Sequence, residues 1–296
     1  MAQTDQVISQ IQVIESEEIL QHFHPGLLKL DYADRNIKAY IIAGTFLFVS
    51  AIFSGSLLFC NLFKAFRGLI LKHQVFMSLA IVRGAYGIFG IFIGCYAIFR
   101  STVLDRDIVF GKNATSSFAM CVTVGFFIFE LSAVLLSDVA FKTFSKMLIM
   151  HHGLALVAFS LAINSGSNYS FGCKGMILEM STPFSCLCYV FLKAGMENST
   201  IWKINQFVLI HTFHLRSVVE CHLWYVTYKH WDDIYSKMST PIFALLYTNL
   251  VLVTFVMTPY WGYKKTEQLF NPVDWNFQES RDTDTLSPKR KAQKAE

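Results

Sequence analysis

Long apolar runs separated by short polar stretches dominate the chain from Ala39 to Thr258. Seven of them, Ala39–Phe63, Val75–Phe99, Phe118–Phe141, Met147–Ile163, Gly175–Leu192, Ile201–Tyr228 and Pro241–Thr258, approach or exceed the length of helix that crosses a hydrocarbon core, roughly 20 residues. Closely spaced runs of this length predict helices rather than barrel strands, because a helix satisfies its backbone polar groups within itself. The expected fold is therefore all-α, a polytopic membrane helix bundle of about seven transmembrane helices. Within Met1–Lys38, expected outside the membrane, Val7–Leu20 reads equally as a short amphipathic helix or as unstructured chain.

Composition agrees with this pattern. Apolar residues make up 53% and charged residues 16%, against roughly 25% charged in soluble domains, so a water-soluble globule is excluded. Most of the seven cysteines lie inside apolar runs, which implies no disulfide framework. The net charge of +4 comes without a basic patch interleaved with aromatics, so no nucleic-acid partner is expected.

An odd number of spans puts the termini on opposite sides, and the Lys/Arg bias chooses between them. Lys64, Arg67, Lys72, Lys142, Lys146, Lys193 and Lys203 collect at one face together with the C-terminal tail, which places that face in the cytosol. The domains expected are a lumenal segment over 1–38, a membrane domain over 39–262 and a cytosolic tail over 263–296. Two acceptor triplets, at Asn113 and Asn168, then fall on the lumenal side, with Asn113 the more readily glycosylated.

Ionisable groups at bilayer depth are costly and therefore informative. The runs hold Arg83, Glu130, Asp138, His151, His152, Glu179, His211, His214, Arg216, Glu220 and His222. At helical spacing His211, His214 and His222 share a face, while Arg216 and Glu220 on the other side are spaced for an i,i+4 ion pair. No ligand spacing of a metal site is present, so no metal is expected. A neutral imidazole with a carboxylate orienting it is what a nucleophile or general base of acyl transfer needs. His151, His152, His211 and His214 are the catalytic candidates, with Glu130 and Glu179 as orienting carboxylates, and together they would form one chamber. One offset stands against this: Glu179, four residues into its run, lies nearer the lumen than the His151 pair unless the span boundary slips or Pro183 redirects the helix.

The His151-His152 pair opening an apolar helix, Asn164 near its far end and an acidic residue in the next run resemble the central motif of the TLC-domain superfamily. That family contains the ceramide synthases and the translocation-associated membrane protein. The resemblance extends through Leu30-Asp31-Tyr32-Ala33, Leu178-Glu179-Met180-Ser181-Thr182-Pro183-Phe184, Leu192-Lys193-Ala194-Gly195, Ile210-His211, Phe213-His214, Pro259-Tyr260-Trp261 and Asn271-Pro272-Val273-Asp274-Trp275-Asn276-Phe277. It implies a membrane protein of the endoplasmic reticulum and the ER–Golgi intermediate compartment, active in lipid homeostasis and lysosome biogenesis. The role implied is an export receptor for newly made lysosomal enzymes, with membrane lipids, lumenal lysosomal enzymes and cytosolic coat proteins as partners.

In the ceramide synthases the His pair accepts the acyl group of acyl-CoA, and His151 and His152 correspond by position. The alternative implied is an acyl-CoA-dependent lipid acyltransferase with a lysolipid-like acceptor. Acyl-CoA would be its co-substrate, no cofactor would be bound, and Lys142 and Lys146 would attract the CoA phosphates. Two departures stand out. Glu179-Met180 replaces the His-Asp of the ceramide synthases, which speaks against a sphingoid-base acceptor. Gln293 occupies one of the two places that a dilysine retrieval signal needs.

Overall fold

The computed structural model describes residues 25–272. Among them every regular element is helical. Seven helices exceed the length of the rest: α1 (Arg35–Cys60), α2 (Leu71–Phe99), α3 (Ala114–Phe141), α4 (Lys146–Ser165), α5 (Tyr169–Lys193), α6 (Thr200–Lys229) and α7 (Thr240–Phe270). All but α6 are long and apolar enough to cross a membrane. At 30 residues α6 is as long as the others, but Lys203, Arg216, Glu220 and three histidines dilute its apolar character. The fold class follows the hydropathy pattern, whereas the count of seven spans depends on how α6 is assigned.

Local sequence explains several helix ends. Asp34 caps α1 by accepting the Asn36 N–H at 2.8 Å. Asn113 and Ser116 form a reciprocal capping box at the start of α3. Gly166, at φ 64°, stops α4 in the left-handed conformation that glycine adopts without a Cβ penalty. Residues Val7–Leu20 and the Gln293 position lie outside the described residues.

Two boundaries differ from the hydropathy reading, and both bear on function. Helix α5 begins at Tyr169 instead of Gly175 and changes character along its length, with a 3₁₀ segment at Ile177–Ser181 between two α segments. Its early residues Tyr169, Ser170 and Lys174 are polar yet buried against neighbouring elements, so hydropathy does not register them. Pro183 sits in the first turn of the second α segment, where its missing N–H is harmless. The Glu179 carbonyl is taken by the Thr182 N–H.

Helix α7 runs to Phe270, so residues 263–270, expected as the start of a solvated tail, continue the bundle. Thr258-Pro259 does not end it. A π-turn at Val253–Met257 precedes the proline and absorbs the hydrogen bond that proline cannot make.

Helix α2 is the centre of the bundle, packed against α1, α3 and all of α5. Its glycines make the close approach to α5 feasible. A Cβ added at Gly87 would lie 2.7 Å from Pro183 Cδ and 3.0 Å from the Glu179 carbonyl oxygen, and one at Gly90 would lie 2.7 Å from the Met176 carbonyl oxygen. Glycines three apart on one face thus let the 3₁₀ segment, and Glu179 with it, sit directly on α2.

Both acceptor asparagines are built into the fold. Asn168, Tyr169 and Ser170 are buried, and Asn113 spends its side chain capping α3 while its Nδ2 donates to Tyr96 Oη at 2.9 Å. Easy glycosylation of Asn113 is therefore not what this geometry favours.

Candidate functional site

At the middle of the bundle, α2 and α3 bring together Arg83 and Glu130. Glu130 is fully buried, and its Oε1 accepts from Arg83 Nε and Nη2, each at 2.6 Å. The same oxygen lies 3.6 Å from His152 Nδ1 on α4. A buried carboxylate is tolerable only with such compensation. The consequence is that the His152 ring is flanked by a fixed charge on one side and by Phe127, at a centroid separation of 5.6 Å, on the other.

His151, one residue earlier, turns away from this network. Its ring stands 5.3 Å from that of His152 and edge-on to Trp261 of α7 at 5.8 Å. Glu179 on α5 accepts the Thr182 hydroxyl at 2.7 Å through Oε2. Arg216 on α6 donates from Nη1 to Ser181 Oγ at 3.2 Å, with its guanidinium 5.3 Å from the Phe213 ring and 5.9 Å from Trp261.

Two cavities meet at these side chains. One is mainly apolar, walled by residues such as Met120, Phe159, Gly172, Leu246, Leu250 and Val253. The other is more polar, walled by Arg83, His152, Thr182, Ser185, Tyr189 and Lys265 among others. His151, Glu179, Arg216 and Phe127 line both. The imidazole of His151 is therefore reachable from an apolar chamber and from a polar vestibule at once.

Of the residues singled out from sequence, His151, His152, Glu130 and Glu179 converge here. The depth mismatch at Glu179 resolves through the earlier start of α5, which places ten residues rather than four between the helix start and the carboxylate.

His211 and His214 do not converge. Both are exposed on the outer face of α6; His211 is held by the Phe207 carbonyl at 2.8 Å, and its ring lies tilted against Phe207 at 4.0 Å and edge-on to His214 at 5.6 Å. The helical phase that puts Arg216 and Glu220 inside puts these histidines outside.

Lys142 and Lys146 are likewise exposed and line neither cavity; Lys142 caps α3, and Lys146 lies over the Phe144 ring. Lys265 of α7 is the lysine at the polar cavity. The polar composition that begins beyond Trp261 marks it as tail in the sequence, which hides its place in α7.

The Arg216–Glu220 ion pair expected from spacing is not formed. Glu220 accepts the Thr258 hydroxyl at 2.5 Å, while Arg216 engages Ser181 and two aromatic faces. Spacing allows a pair, but better partners on α5 and α7 win. Arg83 was legible as a lone intramembrane cation, a group that must find a partner on another helix. Among the described residues no group of three or more His, Cys, Asp or Glu side chains is placed to hold a metal ion.

Residues 76–266 match the family model TRAM_LAG1_CLN8, described as the TLC domain. The chain is 37% identical over 254 residues to Protein CLN8 of Homo sapiens, covering 85% of this chain and 89% of that protein. It is 38% identical over 254 residues to Protein CLN8 of Mus musculus, covering 85% and 88%, and 37% identical to that of Rattus norvegicus with the same coverage. No solved structure matches the chain. The matched segment begins in α2 and ends in α7, so it contains every residue of the two-cavity site, and the chain is a TLC-domain membrane protein similar along most of its length to Protein CLN8.

Proposed function

We propose that this protein is an acyl-CoA-dependent lipid acyltransferase of the endoplasmic reticulum membrane, with His151 as the group that carries the acyl chain between donor and acceptor. One observation carries this reading: His151 lines both the apolar chamber and the polar vestibule, with Glu179 beside it in each. An acyl thioester has the same division, with a hydrocarbon chain on one side of the reacting carbon and a polyphosphate carrier on the other. The chamber suits the chain and the vestibule the carrier.

The chemistry runs in two balanced steps. A ring nitrogen of His151 attacks the thioester carbon, the N–C bond forms, the C–S bond breaks, and the ring proton accompanies the departing thiol through Glu179. An acceptor hydroxyl then attacks the acyl-imidazole, its proton returns to the ring, and an ester leaves. His152, 3.6 Å from Glu130 Oε1 and packed beside the Phe127 ring, sets the position of the α4 turn that bears His151.

The orientation we assign puts the 61–70, 142–145 and 194–199 connections and the C-terminus in the cytosol and the N-terminus in the lumen, as the Lys/Arg bias favours. All seven long helices, α6 included, then span the membrane, and Lys265 lies at the cytosolic mouth of the vestibule. An export receptor for lysosomal enzymes is the other reading that the family resemblance supports. It would draw its lumenal surface from the 100–113 and 230–239 connections.

The deciding experiment incubates the purified chain in lipid nanodiscs with labelled palmitoyl-CoA and a mixture of lysophospholipids. Transfer by the wild type that is lost in His151→Ala supports the enzyme. Absence of transfer with every acceptor, from protein that still binds palmitoyl-CoA or not, leaves the receptor reading in its place.

A further inference from the structure

A buried arginine that serves only to hold helices together uses its donors, since an unpaired polar group out of water is costly. Arg216 does not. The residue is only 5% exposed, yet its buried Nε has no hydrogen-bond partner. Glu179 and Glu220 lie near enough for their charges to act on Arg216, but neither hydrogen-bonds to it: Glu220 Oε1 accepts from Thr258 and Glu179 Oε2 from Thr182. Phe213 and Trp261 hold the guanidinium plane, and Ser181 fixes one end of it. The group is thus clamped on three sides, with a free donor, at the position where both cavities meet His151.

We propose that Arg216 is a catalytic residue of the acyl transfer, donating to the oxyanion that forms on the acyl carbonyl in each step. The inference rests on the acyltransferase reading and deepens it. When a His151 nitrogen adds to the thioester carbon, the carbonyl π pair moves onto oxygen, and the negative charge persists until the C–S bond breaks. The same oxygen is charged again when the acceptor hydroxyl adds to the acyl-imidazole. A preorganised cationic donor in a water-poor site stabilises such a charge more than it stabilises the neutral carbonyl. The planar fork, fixed by aromatic contacts, supplies this without reorganising, which a lysine ammonium on a flexible stem does not do equally well.

The test compares wild type, Arg216→Gln and Arg216→Lys in nanodiscs, using the monodisperse fraction of each. Acyl transfer from labelled palmitoyl-CoA to a lysophospholipid gives kcat, and a nonreactive thioether analogue of palmitoyl-CoA gives a dissociation constant. The expected result is a loss of roughly 100- to 1000-fold in kcat for Arg216→Gln, a smaller loss for Arg216→Lys, and analogue binding unchanged within about threefold. Turnover by Arg216→Gln close to wild type overturns the proposal. Loss of analogue binding in both variants also overturns it, because it assigns Arg216 to structure or ground-state binding. Wild type without any transfer removes the acyltransferase reading itself, whereas an active wild type with an undiminished Arg216→Gln removes only this inference.

Discussion

Arg83 closes on a single oxygen of Glu130, through Nε and Nη2 at 2.6 Å each, and leaves the other carboxylate oxygen buried without a hydrogen-bond partner. The pair joins α2 to α3 and presents its shared oxygen to His152 on α4. Removing one member strands the other charge in the bundle. Glu130→Met is therefore expected to cost about 3–5 kcal/mol, and the double replacement Arg83→Met with Glu130→Met to recover most of it. Thermal unfolding in detergent reads the stability. In the same preparations the double variant should fold but transfer acyl groups slowly, because His152 has lost its fixed neighbour.

The partners of Arg216 and Glu220 lie on different helices, so exchanging the two charges moves each into the other's surroundings. A combined Arg216→Glu and Glu220→Arg variant should be no more stable than Glu220→Arg alone. Thr258→Val, which removes the hydroxyl that Glu220 accepts, should cost about 1.5–3 kcal/mol as a lost hydrogen bond to a charged group. A substantial rescue by the double swap in a thermal-shift series would mean that the pair does form.

His211 and His214 face away from both cavities. Replacing both with Phe should leave kcat for acyl transfer within about twofold of wild type, as for outer-face substitutions without contact to the reaction. His151→Ala in the parallel assay should abolish it. A collapse of kcat in the double Phe variant would place the outer face of α6 in the mechanism.

The glycines of α2 are unequal to the glycine of α4. Gly87→Ala and Gly90→Ala each place a Cβ 2.7 Å from an atom of α5, and overpacking of this kind costs about 1–3 kcal/mol. Gly153 meets nothing within 4 Å, so Gly153→Ala should instead stabilise α4 by about 0.5–1 kcal/mol. Unfolding temperatures of the three variants should fall on opposite sides of wild type. Acyl transfer should drop with Gly87→Ala beyond the stability effect, since that Cβ also presses on Glu179.

The all-α membrane class is legible in the residues alone, because apolar run length and backbone hydrogen bonding in lipid leave little choice. His151, His152, Glu130 and Glu179 stand out there too, since ionisable groups in apolar helices are rare and costly. Which of them meet depends on how the helices pack. The phase of α6 relative to its neighbours turned His211 and His214 outward and Arg216 inward, and periodicity within one helix cannot say which face the bundle takes. Partner choice was likewise settled across helices: Glu220 found Thr258, and Arg83 found Glu130. The depth of Glu179 depended on a helix start hidden in polar residues that become buried only through contact, and on glycines of α2 whose close approach to α5 exists only in three dimensions.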